Sequence, residues 1–177
     1  MVKYEIPYNT DTNIGVYYNE SVSRLPSDDD YVCFVDGDTI FTTNKWGHQI
    51  EDIIRIHGEN FGLFTCVTNR LGRIEQTIAN TWESDDMKFH RNVGEILYKK
   101  NYSNVVDITK GKPMGGVMIM IRKGVWKKVG GFPEKGLLGV DNEIFFRVKN
   151  KGLRIGMLSG VYLYHWYRGG NSANKLI

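Results

Sequence analysis

Tyr31-Val32-Cys33-Phe34-Val35 is a run of five apolar residues with no polar interruption, the pattern of a strand buried on both faces. A second such run covers residues 61–67, and a third, Gly-Gly-Val-Met-Ile-Met-Ile, covers 115–121. Between them the pattern changes period. Val16, Val22 and Leu25 predict a helix over 13–25, closed by the acidic turn 26–30. Trp46, Ile50, Ile53, Ile54 and His57 recur near helical spacing over 44–58 and stop at Gly58. Ser84 and Asp85 cap a predicted helix over 84–100, and Ile144, Phe145 and Val148 form one stripe of a helix over 141–152. Shorter segments read as a first strand (2–8), a strand at 104–108, a short helix over 122–129 and a final strand pair turning at Ser159-Gly160. Strands alternating with amphipathic helices predict an α/β fold around a mixed sheet.

With 177 residues, 41% of them hydrophobic, the chain can bury a real core and is expected to be one domain. The net charge of +3 suits an anionic small ligand but lacks the concentrated basic charge of a nucleic-acid binder. The two cysteines, Cys33 and Cys66, lie inside apolar strands and read as packed thiols. The polar start and the absence of any stretch near 20 apolar residues lead to an expectation of a cytoplasmic protein with no membrane span.

Chemistry enters at Asp36-Gly37-Asp38. The two carboxylates follow the apolar strand 31–35, where ligands of open α/β sheets gather beyond the strand ends. Hard cations such as Mg²⁺ and Mn²⁺ take carboxylate oxygens and use their remaining positions for phosphate. Alone, the motif fits a cation clamp, a phosphoryl-transfer loop with Asp36 as nucleophile, or a plain turn. Asp141 and Glu143 open the helix over 141–152 after the glycine-rich loop 135–139; there a carboxylate serves either the helix terminus or as a general base. His165 closes the last apolar run, and Arg168 follows it, suited to a phosphate.

The order of these pieces is more specific than any one of them. Strand–DGD, then GGVMIMIRKGVWKKVGGFPE (115–134), GVDNEIFFRVKNKGLRIG (139–156) and VYLYHWYR (161–168) resembles the glycosyltransferase-A fold enzymes of glycosyltransferase family 2 across nearly the whole chain. The resemblance implies a Rossmann-like mixed sheet flanked by helices. It divides the domain into a partial nucleotide-binding part (1–43) and an acceptor and catalytic part (44–177). It implies a metal, Mn²⁺ or Mg²⁺, on Asp36, Asp38 and His165, and a donor site including Asn13, Asp36, Asp38, Gly115, Gly116 and Arg168. Asp141, with Glu143 as the second acidic position, is implied as catalytic base, and Arg147 as structural.

The implied reaction is inverting transfer of a sugar from a nucleoside-diphosphate donor to a glycan, lipid-linked or protein hydroxyl. Two features depart from the family. Val140 replaces its first acidic residue in this helix. Only 35 residues precede the DGD, where relatives carry further strand–helix units, so the N-terminal half is expected to be truncated. Either residues 4–19 then make a minimal base pocket, or another chain (a companion or a second copy) or domain supplies it, or donor binding is weak. The rival readings are a non-catalytic nucleotide- or glycan-binding module of the same fold and a haloacid-dehalogenase-type phosphatase using Asp36.

Overall fold

The computed structural model describes residues 1–8 and 12–166. The chain runs β1 (Val2–Glu5), α1 (Ile14–Ser23), β2 (Tyr31–Val35), β3 (Thr39–Phe41), α2 (Trp46–His57), β4 (Leu63–Thr68), a 3₁₀ turn (Ile74–Gln76), α3 (Met87–Asn101), β5 (Val105–Asp107), β6 (Met118–Arg122), α4 (Lys123–Val129), α5 (Val140–Asn150) and β7 (Ile155–His165). The strands form one seven-stranded mixed sheet of order β1-β2-β6-β4-β7-β3, with β5 also on β7. The class is therefore mixed α/β.

Both faces of the sheet are covered, which is why β2 and β4 read as unbroken apolar runs and are buried at every residue. On one face Val32, Phe34 and Ile119 pack with Tyr18 and Val22 of α1, Val125 and Val129 of α4, and Ile144 and Val148 of α5. On the other, Tyr31, Cys33, Phe64 and Met120 pack with Ile50 and Ile53 of α2. Each such side chain, fully buried, contributes about 1.5–3 kcal/mol. A smaller cluster seats Val93 and Leu97 of α3 against Val67 and Tyr162. Cys33 and Cys66 are free and buried, and burial pushes both thiols up, which makes them packing groups rather than nucleophiles.

Two predictions are corrected. The last strand pair is a single strand, β7, and Ser159-Gly160 is a bulge in it. Cys66 pairs with Leu158 but the next residue, Val67, pairs with Tyr162. The break lets β7 present one edge to two partners in succession, β5 before the bulge and β3 after it. A Cβ at Gly160 would lie 2.3 Å from the Asn101 carbonyl oxygen, so glycine is needed where the end of α3 presses on the strand. The first strand is also shorter than predicted: it ends at Glu5, paired parallel to β2 on one side at the edge of the sheet. No helix among the described residues is long and apolar enough to cross a membrane.

Candidate functional site

β2 and β4 are each antiparallel to β6, and β4 is parallel to β7. The C-terminal ends of β2, β4 and β7 therefore meet at one edge of the sheet, together with the start of β6. Asp36, Asn69, His165 and Gly116 are gathered there by topology.

The DGD segment is a tight turn. The Asp36 carbonyl accepts the Thr39 N–H at 3.2 Å and the Thr39 hydroxyl at 2.6 Å. This returns the chain into β3, where Thr39 pairs with His165 and the Asp38 carbonyl accepts the Trp166 N–H at 2.9 Å. Asp36, Asp38 and His165 consequently offer one ligand atom each, all within 4.8 Å of one another.

His165 is held in place by its neighbours. Its backbone N–H donates to the Asn69 Oδ1 at 2.7 Å, and its ring Nδ1 lies 2.7 Å from the Arg70 carbonyl oxygen. A carbonyl only accepts, so Nδ1 carries the proton and, in the neutral ring, Nε2 keeps its lone pair. That Nε2 lies 3.3 Å from the Asp38 Oδ1. Arg70 is itself buried and clamped, donating to the Trp82 and Ser84 carbonyls and to the Asp85 carboxylate.

Burial lifts the Asp36 carboxyl to about 6; His165 opposes the shift, and Asp38 and Asp141 add to it. Asp36 and Asp38, with Asp141 nearby, repel one another, and a positive charge among them, on His165 or on a bound cation, relieves that repulsion. The donor set fits a divalent metal: carboxylate oxygens suit Mg²⁺ and Mn²⁺, and the imidazole nitrogen favours Mn²⁺ of the two.

A cleft of about 200 Å³ adjoins this cluster. Asp36, Tyr18, Gly116 and Asp141 line it, together with Leu137 and Leu138. Gly139, at φ 81°, takes the left-handed conformation that turns the loop into α5 and sets Asp141 in its first turn. The Asp141 Oδ1 accepts the Asn142 N–H at 2.8 Å. A Cβ at Gly116 would be 3.4 Å from the Asp141 Cβ, so the turn leading into β6 runs close beside Asp141.

The remaining predicted residues have distinct placements. Glu143 accepts from Arg147 at 2.6 Å and pairs with Lys135, and these two partners hold its carboxyl below the ordinary glutamate range. Arg147 also donates to the carbonyls of Gly130 and Gly131, which fits a structural role. Gly115 stands one residue back from the cleft. It is buried against Leu71 and gives its N–H to the Gln76 Oε1 at 2.6 Å. Asn13 immediately precedes α1, next to Ile14 at the cleft wall. Arg168 lies outside the described residues.

Sequence reasoning missed three participants. Tyr18 stacks on Phe34 at 4.2 Å, and burial, then Asp36 and Asp141, push its phenol up, so it stays a hydrogen-bond donor in the cleft. Asn69 and Arg70 follow β4 as Asp36 follows β2, and the strand-end rule that picked out the DGD also applies to them. No protein-family model matches the chain, and a search of curated proteins finds no significant match.

Proposed function

We propose that the protein is a metal-dependent glycosyltransferase of the glycosyltransferase-A kind, moving a sugar from a nucleoside-diphosphate donor to an acceptor hydroxyl. One observation carries this reading: Asp36, Asp38 and His165 cluster beside a cleft that Asp36 and Asp141 both line. A divalent cation bound by the three would supply positive charge to the departing diphosphate. Asp141 takes the acceptor proton as the acceptor oxygen attacks the anomeric carbon. The bond from that carbon to the phosphate oxygen breaks, the electron pair leaves on the diphosphate, and the configuration inverts. Tyr18 and Gly116 line the same cleft, and the absence of a side chain at Gly116 leaves room for the sugar there.

Asp141 is preferred to Glu143 as base because the Glu143 carboxylate is already occupied by Lys135 and Arg147. The groups bearing on Asp36 are two carboxylates and an imidazole, an environment suited to a cation. The test is release of nucleoside diphosphate from a panel of nucleotide sugars with Mn²⁺. Asp38→Ala should abolish the Mn²⁺ dependence, and Asp141→Asn should slow transfer by about 10²–10⁴-fold, the range of a lost general base. Unchanged turnover in both variants would end the proposal. Nucleotide binding by calorimetry without turnover in the wild type would leave a binding module.

A further inference from the structure

A second cavity, of about 280 Å³, opens between the 3₁₀ turn, β5 and the loop 111–114. Its walls are formed by Val106, Ile108, Met114 and Met157, with Gln76 and Arg73 at one side. It is larger than the roughly 150 Å³ that accepts benzene and just below the usual range for whole small-molecule pockets. An occupant of one or two rings, or a short alkyl chain, fits.

Two covalent and polar links join this cavity to the cleft. Met114, in its wall, is two residues from Gly116 in the cleft. Arg73, at its rim, donates from Nη2 to the Asn142 Oδ1 at 3.0 Å, and Asn142 is the neighbour of Asp141. The rim charges are unequal in their partners. Asp107 accepts from Arg154 at 2.8 Å and from Thr109, which hold its carboxyl down at about 2, and Glu75 faces Lys112 at 3.9 Å. Among the described residues the Arg73 guanidinium bonds a neutral amide, so its remaining donors suit an anionic oxygen.

We infer that this cavity is the acceptor subsite and takes an anionic amphiphile. The apolar body lies against Met114 and Met157, a phosphate or carboxylate oxygen rests on Arg73, and the hydroxyl extends toward Asp141. The inference rests on the transferase reading, and it adds the chemical class of the acceptor.

Octyl phosphate and phenyl phosphate serve as probes, separating alkyl from aryl bodies, with neutral octyl β-glucoside as the charge control. They are titrated into the metal-free, ¹⁵N-labelled protein. At least one phosphate should shift the amides of Gln76, Gly111 and Met157. Arg73→Gln should weaken that phosphate at least tenfold and leave octyl glucoside unaffected. Val106→Trp, at a 40% exposed position on an edge strand, should fill the cavity and remove the shifts without unfolding the sheet. Absence of shifts with both phosphates, or equal binding by Arg73→Gln, would overturn the inference. Donor hydrolysis with Mn²⁺ is measured on the same preparations. Hydrolysis without probe binding removes the acceptor assignment alone; probe binding without hydrolysis keeps a ligand site and removes the transferase reading.

Discussion

The turn after β2 and the first turn of α5 each carry two acidic residues separated by one, and the protein treats the pairs in opposite ways. At the turn, Asp36 is largely buried beside Asp38, and its carboxyl is pushed up to about 6. On the helix, Glu143 is held by Lys135 and Arg147 and is pushed down. Charge that the fold has neutralised is structural. Charge left crowded at a cleft is balanced by a proton, by His165 or by a ligand that binds there. By that criterion the turn and Asp141 make up the proposed site, and Glu143 its proposed support.

The largest effect expected from this contrast is in pH dependence. Asp36 goes from an ordinary 3.8 to about 6 in the folded chain, a shift equivalent to roughly 3 kcal/mol. Between these values the folded state keeps a proton that the unfolded state has lost. Stability from this group is thus full below pH 4 and is lost as pH rises through about 6. Urea denaturation in EDTA at pH 4.5 and 7.5 should therefore show Asp36→Asn gaining on the wild type by about 2 kcal/mol at the higher pH, the part of the shift that lies above pH 4.5. Parallel pH profiles for the two proteins would mean that Asp36 is not strained by its neighbours. Mn²⁺ should reverse the ranking at pH 7.5, since a bound cation stabilises only the protein that keeps the carboxylate.

Next in size is the brace behind His165. Asn69→Ala removes the acceptor of the His165 N–H, and second-layer changes of this kind typically cost 10–100-fold in metal affinity. Mn²⁺ titration followed by electron paramagnetic resonance should show that loss, and Asn69→Asp, which still accepts, should recover most of it. The ¹⁵N shifts of the His165 ring in the metal-free protein give a second reading. They should report Nδ1–H in both proteins, because the Arg70 carbonyl sets the tautomer and Asn69 positions the backbone. Unchanged affinity in Asn69→Ala would reduce Asn69 to packing.

How far the sequence disclosed this arrangement depends on where the information lies. The strand ending at Val35 and the turn after it were legible because an apolar run meets two acids and a glycine, and both faces of the strand are buried. The helix stripe of Ile144, Phe145 and Val148 was legible for the same reason: periodicity records burial. Ser159-Gly160 misled because a small polar pair between apolar runs has the composition of a turn, whereas the chain stays extended and uses it as a bulge. Arg70 was silent because it acts on His165 through a backbone carbonyl, which any residue has. Tyr18 was hidden by its setting, an aromatic on a helix that also packs on Phe34 and Phe132. The apolar cavity escaped because its walls come from segments far apart in sequence, none periodic enough to stand out.

The smallest expected effect is the control on the whole contrast. If Glu143 is support, Glu143→Gln should change turnover by only a few-fold while Asp141→Asn nearly abolishes it. Its cost belongs in stability, about 1 kcal/mol or less, because both of its ion pairs are partly exposed. The sign with pH is opposite to that of Asp36. A carboxyl held below its ordinary 4.5 contributes stability above that value and loses it as the pH falls through its folded pKa, so the two proteins should converge in acid. A Glu143→Gln protein as stable as the wild type at pH 7.5 yet catalytically dead would move the base from Asp141 to Glu143. It would also show that two cations around a carboxylate do not remove it from the chemistry of this cleft.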